Sequence, residues 1–142
     1  FRAGHETTLK TWEYMLNLNA RSVFLVSRAV IPQMLDQKSG KIISVAARAA
    51  LAGRAEMAPY IVSKSAVIRL TESMSAELRD HNINVNCILP GTIDTNRNRV
   101  EMPDTDFNKW VTPAALADVI RFLASDAARA INGATVPVYG RS

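Results

Sequence analysis

A chain of 142 residues is long enough for one hydrophobic core and short for two ordinary domains. Its 48% hydrophobic and 21% charged residues are those of a globular protein, and a net charge of +4 spread along the chain is no nucleic-acid stripe. Cys87 stands alone, which excludes an internal disulfide, and with His5 and His81 it makes no metal-ligand spacing.

No apolar run approaches the ~18 residues of a membrane span, and no secretory signal is visible at the start. With a single unpaired cysteine, the expected setting is cytoplasmic. No internal repeat, low-complexity tract or interdomain linker interrupts residues 1–142, so they read as one segment.

In chain order, Thr8 or Thr11 is positioned to cap a helix running to about Lys38. Trp12, Leu16, Val23, Phe24, Ser27, Val30, Ile31 and Met34 recur there at three- and four-residue steps. Pro32 is expected to bend its last part, and Ser39-Gly40 to stop it. Lys41 to Ala46 then reads as a short buried strand. A small-residue loop, Ala47 to Met57, turns at Gly53.

A second helix is expected from Ala58 to about Asp80, with Ala66, Val67, Leu70, Met74 and Leu78 as its inner stripe. Ile83 to Leu89 is a strand ended by Pro90-Gly91, and Cys87 alternates there with inward Ile83, Val85 and Leu89, as a core residue would. Thr92 to Trp110 is polar and irregular, too long for a mere connector. Thr112-Pro113 opens a third helix ending near Ser125, and Ala134 to Tyr139 is a last strand. Alternating helices and apolar strands predict an α/β fold, a parallel sheet with flanking helices.

Tyr60 and Lys64 stand at i and i+4, on one helix face, just after a loop that follows the C-terminal end of a strand. In open α/β sheets ligands bind at that edge. A cation near a phenol lowers its pKa from ~10 and makes it a better proton carrier at neutral pH. On its own, Tyr-x-x-x-Lys is more often a packed aromatic beside a solvated lysine.

The surroundings change that balance. Asn19 to Phe24, Gly40 to Ile43, Ala58 to Val67, Pro90-Gly91, Ile93-Asp94-Thr95 and Asn132 to Val138 stand in the order and spacing of the short-chain dehydrogenase/reductase family. The resemblance covers essentially the whole chain. It implies the C-terminal half of a Rossmann-like, doubly wound parallel sheet. It implies an oxidoreductase using NAD or NADP and a small-molecule substrate. Tyr60 would be the general acid/base, and Lys64 would depress its pKa and hold the nicotinamide ribose. Asn19 would sit at a helix irregularity and anchor a relay water. Pro90, Gly91, Thr92, Ile93 and Thr95 would line the nicotinamide and pyrophosphate. The plainer roles stay open beside these: Asn19 as a solvent-facing residue, Pro90-Gly91 as a turn, Thr95 as a cap. Family members pack as dimers or tetramers through two long helices, here about 8–38 and 58–80, so a homodimer or homotetramer is expected.

Two departures qualify the resemblance. The family's serine, thirteen residues before the tyrosine, is Ala47, and Ser44 lies on the opposite strand face. Losing such a donor costs ~3 kcal/mol of transition-state stabilisation, by analogy with oxyanion holes. Quinonoid dihydropteridine reductase, a branch of the family, manages without that serine. Leu89 to Arg99 and Met102 to Trp110 resemble its substrate-side loop, so the expected substrate is of carbonyl or quinonoid pterin type.

The second departure is the missing glycine-rich turn that cradles pyrophosphate. The resemblance puts that half ahead of Phe1, outside this sequence, and leaves the first strand with an open edge. Both departures also suit a catalytically silent relative, kept for binding or assembly.

Overall fold

The computed structural model describes residues 2–142. Thr8 accepts from the Thr11 backbone N–H at 3.1 Å and so caps α1, Leu9–Leu16. A π-helical turn, Asn17–Arg21, joins it to α2, Ser22–Gln37. The expected single helix is thus continuous in direction but not in period. A π turn carries an extra residue, which re-phases everything after it. Phe24 and Val30, counted inward, are exposed, while Ser27 is buried and Val23, Ile31 and Met34 of the same stripe pack against the core, so the inward line is narrower than counted. Lys38, at φ +53°, ends α2 in the left-handed conformation, one residue before the expected Ser39-Gly40 stop.

Strand β1, Gly40–Val45, pairs in parallel with β2, Ile83–Pro90, from Gly40 opposite Ile83 to Val45 opposite Ile88. Strand β3, Thr135–Val138, pairs in parallel with the other side of β2. The order is therefore β1-β2-β3, with β1 at an edge. Helix α3, Ala58–Leu78, makes the first crossover. It is buried over a wider face than the expected stripe, adding Ile61, Ser63, Ile68, Thr71 and Ser75. The loop before it turns at Glu56, φ +63°, and not at Gly53.

Alternation along β2 sorts the two layers. Ile83 and Val85 pack with Met74 and Leu78, and Cys87 and Leu89 with Val67 and Ile68. Cys87 is fully buried. Ile88 points the other way, toward Leu116 and Leu123 of α5, Pro113–Leu123. Asn84 and Asn86 are buried on β2 as well. Asn86 donates to the Ile131 carbonyl and accepts from the Ala134 N–H, both at 2.9 Å. Asn84 donates to the Arg129 and Ile131 carbonyls at 3.0 and 3.1 Å. Among the described residues no helix is long and apolar enough to cross a membrane, and no cluster of metal-ligating side chains occurs.

The segment from Thr92 to Trp110 is more ordered than its composition predicts. Thr95 caps a short helix, α4, Asn96–Glu101, by accepting from the Asn98 N–H at 3.2 Å. Asp94 and Arg99 form a two-pronged ion pair, with bonds of 2.6 and 2.8 Å, and Arg99 lies over the Phe107 ring.

Candidate active site

The C-terminal ends of β1 and β2 and the first turns of α3 meet at one place. Pro59 lies in the opening turn of α3, where a missing N–H costs nothing, and it sets Tyr60 on the second position after it begins. Tyr60 lines an open cavity of about 320 Å³ with Ala47 and Arg48 at the end of β1, Arg54 in the following loop, and Pro90, Gly91 and Thr92 at the end of β2. On its other side it borders a second cavity, of about 410 Å³, against Thr8, Thr11 and Met57.

Lys64, one turn on, donates to the Val45 carbonyl at 3.0 Å. Asn19 lies in the π turn, and its Nδ2 donates to Ser63 Oγ at 2.9 Å. Ser63 in turn donates to the Tyr60 carbonyl at 2.8 Å. A chain of two hydrogen bonds therefore ties the π turn to the tyrosine's own backbone. Ser63 is fully buried, so each of these bonds replaces one that water would otherwise make.

The electrostatics differ from the expected Tyr60–Lys64 coupling. Burial pushes the Tyr60 phenol above its ordinary range. Burial also pushes the Lys64 ammonium down. Its charge is turned onto the Val45 carbonyl, and desolvation alone governs the phenol. A phenol in this state is firmly protonated, a donor before it is a base. In the loop opposite, the hydrogen bonds from Arg99 hold the Asp94 carboxyl below its usual range.

Gly91 is required where the cavity floor meets the end of β3. A Cβ there would stand 2.8 Å from Ser142 Oγ and 2.9 Å from the Tyr139 carbonyl. Of the expected lining residues, Tyr60, Pro90, Gly91 and Thr92 share the cavity, whereas Ile93 and Thr95 do not. Ile93 packs into the α5 core and bridges Val111, and Thr95 is committed to its cap. Ala47 lies on the cavity wall with Tyr60, where it presents a methyl group and no hydroxyl.

Sequence reasoning did not find Ser63, Arg48 or Arg54. A serine three residues after Tyr60 reads as a helix-surface hydroxyl, and only the fold shows it facing Asn19. The two arginines had a legible signal: cations in a loop of small residues with Glu56 as its one acid.

The family described as short chain dehydrogenase matches residues 1–106. The 2-dehydro-3-deoxy-D-gluconate 5-dehydrogenase of Dickeya dadantii (strain 3937) is 37% identical over 146 residues, covering 95% of this chain and 58% of that protein. A gluconate 5-dehydrogenase from Burkholderia cenocepacia J2315, solved with NADP and tartrate, superposes with a TM-score of 0.88 at 30% identity, over 97% of this chain and 58% of that one. A 4-hydroxyisoleucine dehydrogenase mutant, solved with NADH and succinate, superposes with a TM-score of 0.89 at 28% identity, over 98% and 62%. The chain spans about half the length of the curated relatives it matches.

Proposed function

The chain belongs to the short-chain dehydrogenase/reductase family, whose members are NAD(P)-dependent oxidoreductases, and on that premise we propose that it supplies the catalytic half of such an enzyme. The observation that carries the reading is the tie of Asn19 to Tyr60 through Ser63, with Lys64 one turn on and bonded to Val45, at the strand ends where an open α/β sheet binds ligands. The relatives' names speak of gluconate-type substrates, which supports a small polar carbonyl or hydroxyl compound as substrate here.

In this reading Tyr60 gives its proton to the substrate oxygen as reduction proceeds and recovers it in the reverse direction. Burial raises its pKa, so the phenol carries its proton before that step. Lys64 spends one of three ammonium protons on Val45 and has two for ribose hydroxyls. Pro90, Gly91 and Thr92 form the wall against which the nicotinamide would lie. These donors fit the ribose and nicotinamide side of NAD or NADP. The cofactor supplies or accepts the hydride. The six glycines stand apart at positions 4, 40, 53, 91, 133 and 140, so the pyrophosphate cradle is proposed to come from residues outside these 142. Asn19 acts as a positioning residue through Ser63. The long helices α2 and α3 are proposed to carry a homodimer or homotetramer interface, and the setting is proposed to be cytoplasmic.

The test is binding of NADH and NADPH to the full-length protein, then turnover of hydroxy and keto compounds with Tyr60→Phe as control. The variant is expected to keep cofactor binding and lose turnover by ~10²–10⁴-fold. Absence of nicotinamide binding would establish the silent relative instead. Turnover of a quinonoid dihydropterin, with none of sugar-acid carbonyls, would move the substrate to the pterin type that Ala47 also suits.

A further inference from the structure

Two arginines line the cavity beside Tyr60. Arg48 and Arg54 both line it, and no aspartate or glutamate does. The ion pairs among the described residues are Arg69–Glu72, Arg97–Glu101, Arg99–Asp94 and Arg121–Asp118, so neither cavity arginine is paired with an aspartate or glutamate there.

Arg48 is also held in place. Its guanidinium carbon lies 4.6 Å from the centre of the Tyr139 ring, and its Nη1 donates to the Ser142 backbone oxygen at 2.7 Å. Stacking and one hydrogen bond fix the plane of the fork while leaving four of its five N–H donors. Arg54 lines the same opening and makes no hydrogen bond from its side chain among the described residues. Ala47 and Gly91, which carry a methyl group and no side chain, line the same cavity as the arginines and the phenol. Two cations facing one small space repel each other unless an anion lies between them, and a planar fork matches a carboxylate in two-pronged fashion.

We propose that Arg48 and Arg54 form a carboxylate-binding site that orients an anionic substrate, a hydroxy or keto acid, with its reacting carbon toward Tyr60. The inference rests on the oxidoreductase reading and names the substrate class for the same site. It also gives a function to the loss of the wall hydroxyl at Ala47. A substrate anchored by its carboxylate needs less of its orientation from a donor on the reacting oxygen.

Succinate, which has two carboxylates and no reactive carbonyl, is the probe. It is titrated by calorimetry into the full-length protein beside its neutral counterpart succinamide, at matched ionic strength. Succinate is expected to bind at least about tenfold more tightly than succinamide, the scale of one charge-assisted hydrogen bond. Arg54→Gln and Arg48→Gln are each expected to weaken succinate about tenfold. Arg48→Lys, which keeps the charge and loses the fork, should lie between Arg48→Gln and wild type and guards against a misfolded glutamine variant. NADH affinity should stay within about twofold throughout, roughly a third of that hydrogen-bond scale. Equal binding of succinate and succinamide, no succinate binding, or Arg54→Gln weakening NADH rather than succinate overturns the inference, the last by assigning the charges to cofactor phosphate. Failure of wild type to bind NADH would sink the oxidoreductase reading separately, because the succinate arm needs no cofactor.

Discussion

Asn19 and Ser63 lie 44 residues apart in sequence and 2.9 Å apart in space, amide nitrogen to hydroxyl. The π turn brings Asn19 to α3, and the buried serine passes the contact to the Tyr60 carbonyl. Replacing Ser63 by alanine removes both bonds and leaves the Asn19 amide facing an apolar methyl. A loss of ~1–3 kcal/mol in unfolding free energy follows from one stranded polar group. In the full-length enzyme the same variant is expected to lower kcat more than it raises KM. A fall in stability with unchanged kcat would show that the bridge holds the fold and not the tyrosine.

Tyr60 and Lys64 should mark alkaline pH from opposite sides. Burial raises the Tyr60 pKa, so the stability this neutral phenol contributes is fully present below the unfolded value of ~10 and is lost as pH rises through the folded one. Burial lowers the Lys64 pKa, so its desolvation cost is relieved as pH rises from the folded value to the unfolded ~10.4. Stability is therefore expected to climb slightly toward pH ~10 and fall beyond it. Tyr60→Phe should remove the fall and Lys64→Met the climb, both measured by denaturant unfolding across the alkaline range. An ultraviolet titration that finds every tyrosine ionising together at the ordinary value would contradict the burial effect.

Ala47→Ser puts a hydroxyl on the cavity wall shared with Tyr60, where the family resemblance expects one. Turnover of simple ketones is expected to increase by about tenfold or more, below the 10²–10³ that deleting an evolved donor costs, because the surrounding shell is not built to aim it. Unchanged rates on neutral ketones would mean that the substrate oxygen does not approach this wall.

Gly91→Ala drives a methyl to within 2.8 Å of Ser142 Oγ and 2.9 Å of the Tyr139 carbonyl. Overpacking of that kind costs about 1–3 kcal/mol, and here it would also push the end of β3 away from β2. A thermal unfolding midpoint equal to wild type would show that the Tyr139–Ser142 segment yields freely.

The sheet and its order of elements were legible because period and punctuation agree: β2 alternates, Pro113 opens a helix, and Pro90-Gly91 ends a strand. The misread positions share a different cause. A π turn is invisible to a 3.6-residue count, and Phe24 and Val30 flank the inward line of Val23, Ser27, Ile31 and Met34 without being covered. Glu56 turns the loop against its own propensity while Gly53, the expected turn, has an open space and no special backbone. Tyr60 could be found from spacing, but the sign of its pKa shift could not. That sign depends on where the Lys64 side chain ends, and no sequence rule states that Val45 offers it a carbonyl.

Asn84 and Asn86 do more than satisfy buried polar groups. Their bonds reach the carbonyls of Arg129 and Ile131 and the N–H of Ala134, all in the connection ahead of β3. Asn132 completes the set by accepting from the Val85 N–H at 2.8 Å. Side chains of the central strand thus act as a lock whose only key is the last connection in one alignment. Sliding β3 by one residue would break all of these bonds in dry surroundings, where each orphan is costly. The short final strand therefore need not find its own alignment, because β2 checks it before the sheet closes.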